Sequence, residues 1–381
     1  MSYYTNHLGG GLIHLEYQNT DCRSMQGQAG FTLLELVIVI GLLSILAIGA
    51  TAMLEDDGDW RRAKETPQRW DAIRKAILGD GGVDATGNFN LSGYVADMGR
   101  LPQNIKELMV EDIDPENVIP NPTPNPAPQP AWANFALYQK TSATNCATTP
   151  EDCYWLGGGW RGPYLYTAGS KEYRDGWDNV NTGVDDDAVN FGWQVTESTA
   201  SGFTPNITDF FVQSLGLGNE VGLGANTNDT NREDYPVDVD FAMVSENEWL
   251  NTEPNLQFNI RLNKPVTADI INLYLRIYYF QDDANTSTTP DLSDLTSEAF
   301  SILNTERTAS VSITIPSDIG LPLGRYAAAI FCSDPSAATN IASLEVFDSA
   351  TGTCDTTNDS TPFYFQLLPS SAIINMMWNL P

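Results

Sequence analysis

The longest apolar stretch of the chain lies close to its N-terminus. Phe31 opens a run of apolar residues that a single charge, Glu35, interrupts, and residues 36–54 carry no formal charge. A helix of about 20 apolar residues is long enough to cross a bilayer core, and a carboxylate near such a run usually has a function. We therefore predict a transmembrane helix with a functional acidic residue; the alternative is a signal-anchor helix with Glu35 at the headgroup level.

The helical pattern continues beyond this run, and we predict one helix over residues 31–79. Trp70, Ile73 and Ile77 recur at helical spacing, which indicates a single buried face. Pro67 either kinks this helix or marks a first turn, and the glycines after residue 78 end it. The acidic residues around 55–59 and the basic residues after them either pair between copies of the chain or form a solvated face.

Residues 236–381 show period-two alternation instead. Apolar and polar residues alternate over 237–243, 258–262, 273–279 and 311–315, and turn-forming residues separate these runs. Such short runs predict antiparallel strands with one buried face each. We expect a β-sandwich similar to immunoglobulin domains, so the predicted fold class of the chain is α+β.

The composition argues against several classes of function. The 381 residues include 19 Lys and Arg against 49 Asp and Glu, which gives a formal net charge of −30. This charge argues against binding to nucleic acids or anionic membrane surfaces, and it invites divalent cations. The only histidines are His7 and His14. A chain without its first thirty residues therefore has no Ser-His-Asp or Cys-His catalysis and no histidine-containing zinc site.

Four of the five cysteines form two local pairs. These pairs are Cys146 with Cys153 and Cys332 with Cys354, whereas Cys22 lies apart near the N-terminus. The pairing predicts two disulfides formed in an oxidising compartment. Zinc binding is the alternative, although the spacing of the first pair does not match the short spacing of zinc motifs.

The start of the apolar run resembles the prepilin signal of type IV pilins and type II secretion pseudopilins. Gly30 and Phe31 match the scissile bond, Thr32 the small polar position after it, and Glu35 the acidic residue within the following run. The resemblance implies a leader peptide over residues 1–30, cleavage by a prepilin peptidase after Gly30, and N-methylation of Phe31.

The resemblance also suggests how the mature chain assembles. A carboxylate buried among packed helices needs a partner or it becomes neutral, and the new amino group of residue 31 on a staggered neighbour would reach Glu35. We expect this pairing to set subunit register, with Thr32 in the same assembly segment. Met25 is an alternative start that would leave a six-residue leader.

The family implies further partners and a location. The expected partners are copies of the chain and other pilins, the peptidase, and an inner-membrane assembly platform with its ATPase. The precursor is expected in the bacterial inner membrane as a single-pass protein, and the product in a periplasmic or cell-surface filament.

Residues 80–235 resemble the globular domain of the type II secretion major pseudopilin, which implies an α/β domain with a small antiparallel sheet. The similar stretches are residues 93–102, 105–110, 160–165, 175–179 and 191–195. Residues 115–130 contain seven prolines and form an insertion that we predict to be extended polyproline II structure. The domains expected from sequence are therefore the leader, the helix over 31–79, this domain and the β-sandwich.

The same family binds calcium in a loop beside a Ser-Leu-Gly motif, which residues 214–216 match. Calcium takes about six to eight oxygen ligands, so an Asn- and Asp-rich loop suits it. This chain departs from the family pattern, because Gly218 and Asn219 stand where an Asp is expected. The candidate ligands are Leu215, Asn219, Glu220, Asp229 and Asp234. Calcium is the one cofactor considered, and no organic cofactor is expected.

These observations favour a structural subunit of a pilus-like or pseudopilus filament over an enzyme. The alternative is a low-copy or tip pilin whose β-sandwich is an adhesion or substrate-binding module. An enzyme on a pilin-like anchor has little support, because no spacing in the sequence singles out an acid/base pair. Secretion, adhesion, motility and DNA uptake all remain open as the role of the filament.

Overall fold

A computed structural model of the chain divides it into two compact units, Met1–Asp57 and Gly58–Pro381. Within helices and strands, side chains are not described at residues 49–59, 139, 152, 291–292, 355 and 374. The described residues are 32–81, 91–110, 132–139, 146, 148–167, 172–180, 187–200, 205–216, 234–236, 238, 240–252, 255–281, 291–337, 345–349, 351–355, 361–368 and 374–380. The proline-rich stretch 115–130 lies outside them.

The N-terminal helix, α1, runs over Leu33–Leu78, close to the predicted bounds of 31–79. Pro67 lies inside this helix, so the alternative of a first turn at Pro67 is wrong. The helix ends where predicted, because Gly79 adopts a positive φ of 83° that glycine tolerates. Its N–H donates to the carbonyl of Lys75 at 2.7 Å.

The C-terminal part of α1 packs into the first core of the second unit. Trp70, Ile73 and Ile77 are buried in that core, as their spacing predicts. Short helices and one hairpin surround them: α2 (Tyr94–Met98), a 3₁₀ helix (Ile105–Leu108), α3 (Asp187–Asn190), α4 (Glu246–Trp249), and strands β3 (Gln194–Thr199) and β4 (Ile207–Gln213). The 3₁₀ helix lies within 105–110, one of the stretches that resemble the pseudopilin domain.

Two further strand pairs lie outside the larger sheets. Strands β1 (Ala133–Gln139) and β2 (Cys153–Gly158) pair antiparallel, and a 3₁₀ helix (Pro150–Asp152) precedes β2. Strands β5 (Leu250–Asn251) and β11 (Leu321–Pro322) form a two-residue ladder.

A three-stranded sheet is formed by β6 (Asn255–Leu262), β10 (Thr308–Thr314) and β16 (Ile374–Leu380), in the order β10-β6-β16. Strand β10 runs antiparallel to β6, but β16 runs parallel to it. The prediction of a purely antiparallel arrangement is wrong at this strand, because the alternation of apolar residues fixes a buried face and not a strand direction.

The second large sheet has seven strands with β7 and β12 at its centre. Its strands are β7 (Ile270–Gln281), β8 (Asp291–Thr296), β9 (Phe300–Ile302), β12 (Gly324–Phe331), β13 (Val346–Asp348), β14 (Thr353–Asp355) and β15 (Phe363–Leu367). A 3₁₀ helix (Pro335–Ala337) follows β12. All strand pairs in this sheet are antiparallel.

The two large sheets share one core, and the seven-stranded sheet is covered on its other side as well. Phe258 of β6 and Ile277 of β7 belong to the core between the sheets. On the far side, Leu137 of β1 and Leu156 of β2 pack with Tyr278 of β7 and with residues of β12. The fold is thus mixed, with few helices and many, mostly antiparallel, strands.

The strand predicted over 237–243 is wrong within the described part of that stretch. Residues 240–243 form a turn and a bend, Phe241 is exposed, and Met243 is buried in the first core. Alternation over four positions was too short to distinguish a strand from an irregular segment that buries every other side chain.

Candidate functional site

The first described residues form a capped helix start. Thr32 precedes α1, its carbonyl accepts from the N–H of Leu36 at 3.2 Å, and its hydroxyl accepts from the N–H of Glu35 at 3.3 Å. Thr32 is therefore the N-cap, and Glu35 occupies the third helical position, where a carboxylate also favours the helix dipole. Gly30 and Phe31, the predicted cleavage residues, lie outside the described residues.

The apolar side chains after this cap are uncovered on every side of the helix. All residues from 32 to 48 are exposed in the isolated chain, with Leu33 at 81% and Ile48 at 70%. A helix that is apolar all round normally lies inside a protein assembly or a membrane. This segment therefore needs a cover that the isolated chain does not provide among its described residues.

Within the residues that the structure describes, no helix is both long enough and apolar enough to cross a membrane. In this respect the structure differs from the transmembrane helix predicted over residues 36–54.

The comparison with known protein families identifies the same exposed segment at the start of α1. Residues 25–51 match the family model of the prokaryotic N-terminal methylation motif. This is the prepilin-type signal of type IV pilins and pseudopilins, as the residues at 30–35 predict. It points to a structural subunit made as a membrane-anchored precursor and later exported in a filament. No curated protein and no solved structure matches the chain significantly.

The base of the predicted calcium loop is formed by an isolated β-bridge. Ser214 and Tyr235 exchange two main-chain hydrogen bonds of 2.8 and 3.1 Å. This bridge brings the buried residues Leu215 and Asp234 to the two ends of the loop. The other candidate ligands, Asn219, Glu220 and Asp229, lie outside the described residues. In the described part of the chain, including this loop base, no group of three or more His, Cys, Asp or Glu side chains is arranged to hold a metal.

A buried aspartate connects this base to the neighbouring loop. Asp175 accepts from the main-chain N–H groups of Trp177 and Asn179, both at 3.1 Å, from the side-chain amide of Asn179 at 2.8 Å, and from the hydroxyl of Ser214. The amide of Asn179 also donates to the carbonyl of Gly216 at 2.9 Å. Because these four hydrogen bonds occupy its carboxylate, Asp175 fixes the loop base and is not itself oriented as a cation ligand.

The helix α1 is hydrogen-bonded to the loop that contains Asp175. The Arg69 guanidinium donates to the carbonyl of Asp175 at 2.8 Å, and the N–H of Gly176 donates to the hydroxyl of Thr66 at 3.1 Å. Gly176 has to be glycine, since a Cβ would lie 2.2 Å from the carbonyl oxygen of Arg62. The stretch 175–179 therefore connects the second half of α1 to Ser214 and Gly216 at the base of the predicted calcium loop.

A second buried carboxylate, Asp97, was not singled out by the sequence. Its side chain is fully buried, and it accepts from Arg325 of β12 at 2.7 Å and pairs with Arg161 at 3.3 Å. Both guanidinium groups also lie over the Trp132 ring, at 5.0 and 5.5 Å from its centroid. The only signal in the sequence is a lone acid in the otherwise apolar residues 94–98.

Tyr164 completes the surroundings of Asp97. Its hydroxyl donates to the Asp97 carboxylate at 3.1 Å. Burial, and after it the negative charge of Asp97, raises the pKa of Tyr164 well above its usual value. The phenol therefore stays protonated and remains a donor at any physiological pH.

Both predicted disulfides are present. Cys146 is bonded to Cys153, and Cys332 is bonded to Cys354, with Cα–Cα distances of 5.8 and 5.9 Å. The first staple lies at the start of β2, and the second joins the end of β12 to β14. Both pairs are committed to disulfides, so the alternative of a zinc site at these cysteines is wrong.

Proposed function

We propose that this chain is a structural subunit of a type IV pilus-like or type II secretion pseudopilus filament. The observation that carries the proposal is a coincidence of position: the methylation motif at 25–51 overlaps the segment of α1 that is apolar and exposed on all sides. Packing this segment against copies of itself would remove a large apolar area from water, at about 25 cal/mol per Å².

The role of Glu35 follows from the same packing. A carboxylate covered by apolar helices is strongly destabilising unless a cation or a set of donors accompanies it. The position of Glu35 in the first turn of α1 meets part of this need, because the N-terminal end of the helix dipole favours a negative charge. The remaining charge calls for a cation from outside, and we propose that it is the N-terminal amine of residue 31 on a neighbouring subunit.

This assembly requires processing. We propose that a prepilin peptidase cuts after Gly30 and methylates the amine of Phe31, and that an assembly platform and its ATPase draw the subunit from the inner membrane. Mass spectrometry of the N-terminal peptide from purified filaments tests the processing step. We expect a peptide that begins with N-methylated Phe31; filaments whose subunits retain residues 1–30 would overturn the proposal.

Calcium binding by the loop between Gly216 and Asp234 is a separate proposal. The buried carboxylate of Asp234 and the carbonyl of Leu215, at the two ends of the loop, would contribute two of its ligands. Binding at one hundred times Kd would stabilise the folded chain by about 2.7 kcal/mol.

Thermal unfolding of the detergent-solubilised chain in calcium, in magnesium and in a chelator tests this proposal. We expect a higher Tm in calcium alone, by about 2–4 °C, and loss of that shift in Asp234→Asn. The matched control is Asp318→Asn, an exposed acid outside the loop. Equal Tm values in calcium and in chelator would refute calcium binding.

A further inference from the structure

One face of the three-stranded sheet is both uncovered and nearly uncharged. We name it the amide–hydroxyl face, because most of its side chains are amides or hydroxyls. It consists of Asn255, Gln257, Asn259 and Arg261 on β6, Thr308, Ser310, Ser312 and Thr314 on β10, and Asn375, Met377 and Asn379 on β16. The alternate residues of all three strands point inward to the core between the large sheets.

The strand register places these side chains in rows. Asn259 pairs with Ser310 on one side and with Met377 on the other, and Gln257 pairs in the same way with Ser312 and Asn375. Neighbouring strands are about 4.8 Å apart, and side chains on one face repeat about every 6.8 Å along a strand. The face is therefore a regular grid of groups that both donate and accept hydrogen bonds.

Few of these groups bond to each other. The amide of Gln257 donates to the Ser310 hydroxyl at 2.8 Å, and the Ser312 hydroxyl donates to the Asn255 carbonyl oxygen at 3.5 Å. The grid carries no carboxylate and a single charge, Arg261, in a chain with a net charge of −30. Hydrogen-bonding capacity without repulsion is thus concentrated on this face.

The outer face of the other large sheet, in contrast, is covered by protein. The outer face of the seven-stranded sheet is closed by β1 and β2, and Phe135 of β1 stacks on Phe280 of β7 at 5.3 Å between ring centroids. Among the described residues, no element covers the amide–hydroxyl face in this way, and Met377 at its centre is 63% exposed.

We propose that the amide–hydroxyl face binds an uncharged polysaccharide. The centre of a protein interface is normally rich in aromatic and apolar side chains, and here Met377 alone is apolar. A nucleic acid or an anionic glycan requires several basic residues, whereas the grid has one. A neutral glycan presents hydroxyls that both donate and accept, which match the amide and hydroxyl side chains, and it meets no repulsion from the acidic chain.

This inference goes beyond the filament role and does not depend on it, because binding is measured on single subunits. The detergent-solubilised full chain is incubated with insoluble cellulose, chitin and amylose, and with heparin beads as the anionic contrast. We expect retention on at least one neutral polymer and none on heparin. In Asn259→Asp and Ser312→Asp, the added carboxylates should weaken retention at least tenfold, or about 1.4 kcal/mol.

Two comparisons keep the test decisive. Ser301→Asp places the same charge on an exposed position of β9, outside the face, and should bind like the original chain. Ser312→Ala removes one hydroxyl without adding charge, and should weaken binding even if an aspartate variant unfolds. Retention on none of the three neutral polymers, or retention unchanged by the face variants, overturns the proposal. A loss of filaments in the face variants without polysaccharide binding would make the face a contact between copies, which also overturns it.

Discussion

Two carboxylates of this molecule, Glu35 and Asp97, differ in whether their own chain supplies partners for the charge. Asp97 is fully buried and receives two arginines and a tyrosine hydroxyl from other parts of its own chain. Glu35 stands on an exposed apolar helix, and among the described residues no cation lies within ion-pair distance of it. Folding alone gives Asp97 its cations and hydrogen-bond donor. Glu35 can gain a cation only from another molecule.

The difference teaches where each residue acts. A buried charge whose partners lie in the same chain contributes to the stability of the fold, and its loss is felt in the monomer. A charge that is exposed to water in the monomer has little effect on the stability of the monomer. It affects assembly strongly, because packing against other subunits removes it from water. Substitutions at the two sites should therefore separate folding from assembly.

The largest effect is expected at Glu35. In Glu35→Ala, cleavage should remain normal while filament yield falls by 100-fold or more, because a buried pair that loses one partner is weakened by about 3–5 kcal/mol. Filament yield is measured by shearing and pelleting, and cleavage by the mass of the subunit. Glu65→Ala is the control, since that carboxylate lies on the same helix in an exposed pair with Arg69. Normal filaments from Glu35→Ala would contradict the assigned role.

The next effect is expected at Asp97. The substitution Asp97→Asn keeps the side-chain shape but leaves Arg161 and Arg325 without their shared carboxylate, and should lower the free energy of unfolding by about 3–5 kcal/mol. Urea unfolding of the detergent-solubilised chain measures this loss. Asp318→Asn, an exposed acid, should change stability by less than about 0.5 kcal/mol. Equal stability of Asp97→Asn and Asp318→Asn would show that the fold does not depend on Asp97, and would contradict the role assigned to it.

A third prediction concerns the disulfides, which reinforce only the second unit. Replacing Cys332 and Cys354 by serine should cost about 3 kcal/mol, because their bond closes a loop of 22 residues. The same replacement at Cys146 and Cys153 should cost only about 2 kcal/mol, because the disulfide it removes closes a loop of 7 residues. Urea unfolding of the two double variants tests the ranking, and the reverse order would contradict the loop-entropy argument.

The smallest effect is expected at Glu197, a carboxylate whose burial is intermediate between that of Glu35 and that of Asp97. Much of its side chain is exposed, yet partial burial, and after it the charge of the buried Glu107, raises the pKa of Glu197 to about 7. The folded state then holds a proton that the unfolded state releases near pH 4.5. Stability from this group is present below that pH and is lost as pH rises through about 7.

Unfolding midpoints measured from pH 4 to pH 8 test this sign. The decline of stability with rising pH should be shallower in Glu197→Gln than in the original chain. An unchanged slope would show that Glu197 titrates normally. Glu151→Gln serves as a control, because it removes an exposed acid from a different element, the 3₁₀ helix before β2.

The sequence predicted what depends on local pattern. Trp70, Ile73 and Ile77 were placed correctly because helical spacing alone determines which side chains share a face. The disulfides followed from the two local cysteine pairs, and the strands within 258–262 and 311–315 followed from alternation. The methylation motif was recognisable because glycine, an aromatic residue and an acid fall in fixed register before an apolar run.

What the sequence did not predict depends on long-range pairing. Arg325 reaches Asp97 across 228 positions, and nothing in the local pattern of either residue points to the other. The parallel direction of β16 and the cover that β1 and β2 give to β7 are likewise choices among sheet arrangements that alternation permits equally. The site residues at 175–179 were found only through resemblance, and their hydrogen bonds to Ser214 and Gly216 came from the structure.

The structure of the assembled filament, determined by cryo-electron microscopy, tests the central claim most directly. We predict that residues 33–48 are enclosed by the same segment of neighbouring subunits, with the Glu35 carboxylate within about 4 Å of a neighbour's N-terminal nitrogen. Filaments in which this segment faces solvent, or in which Glu35 lies far from every neighbouring N-terminus, would contradict the account.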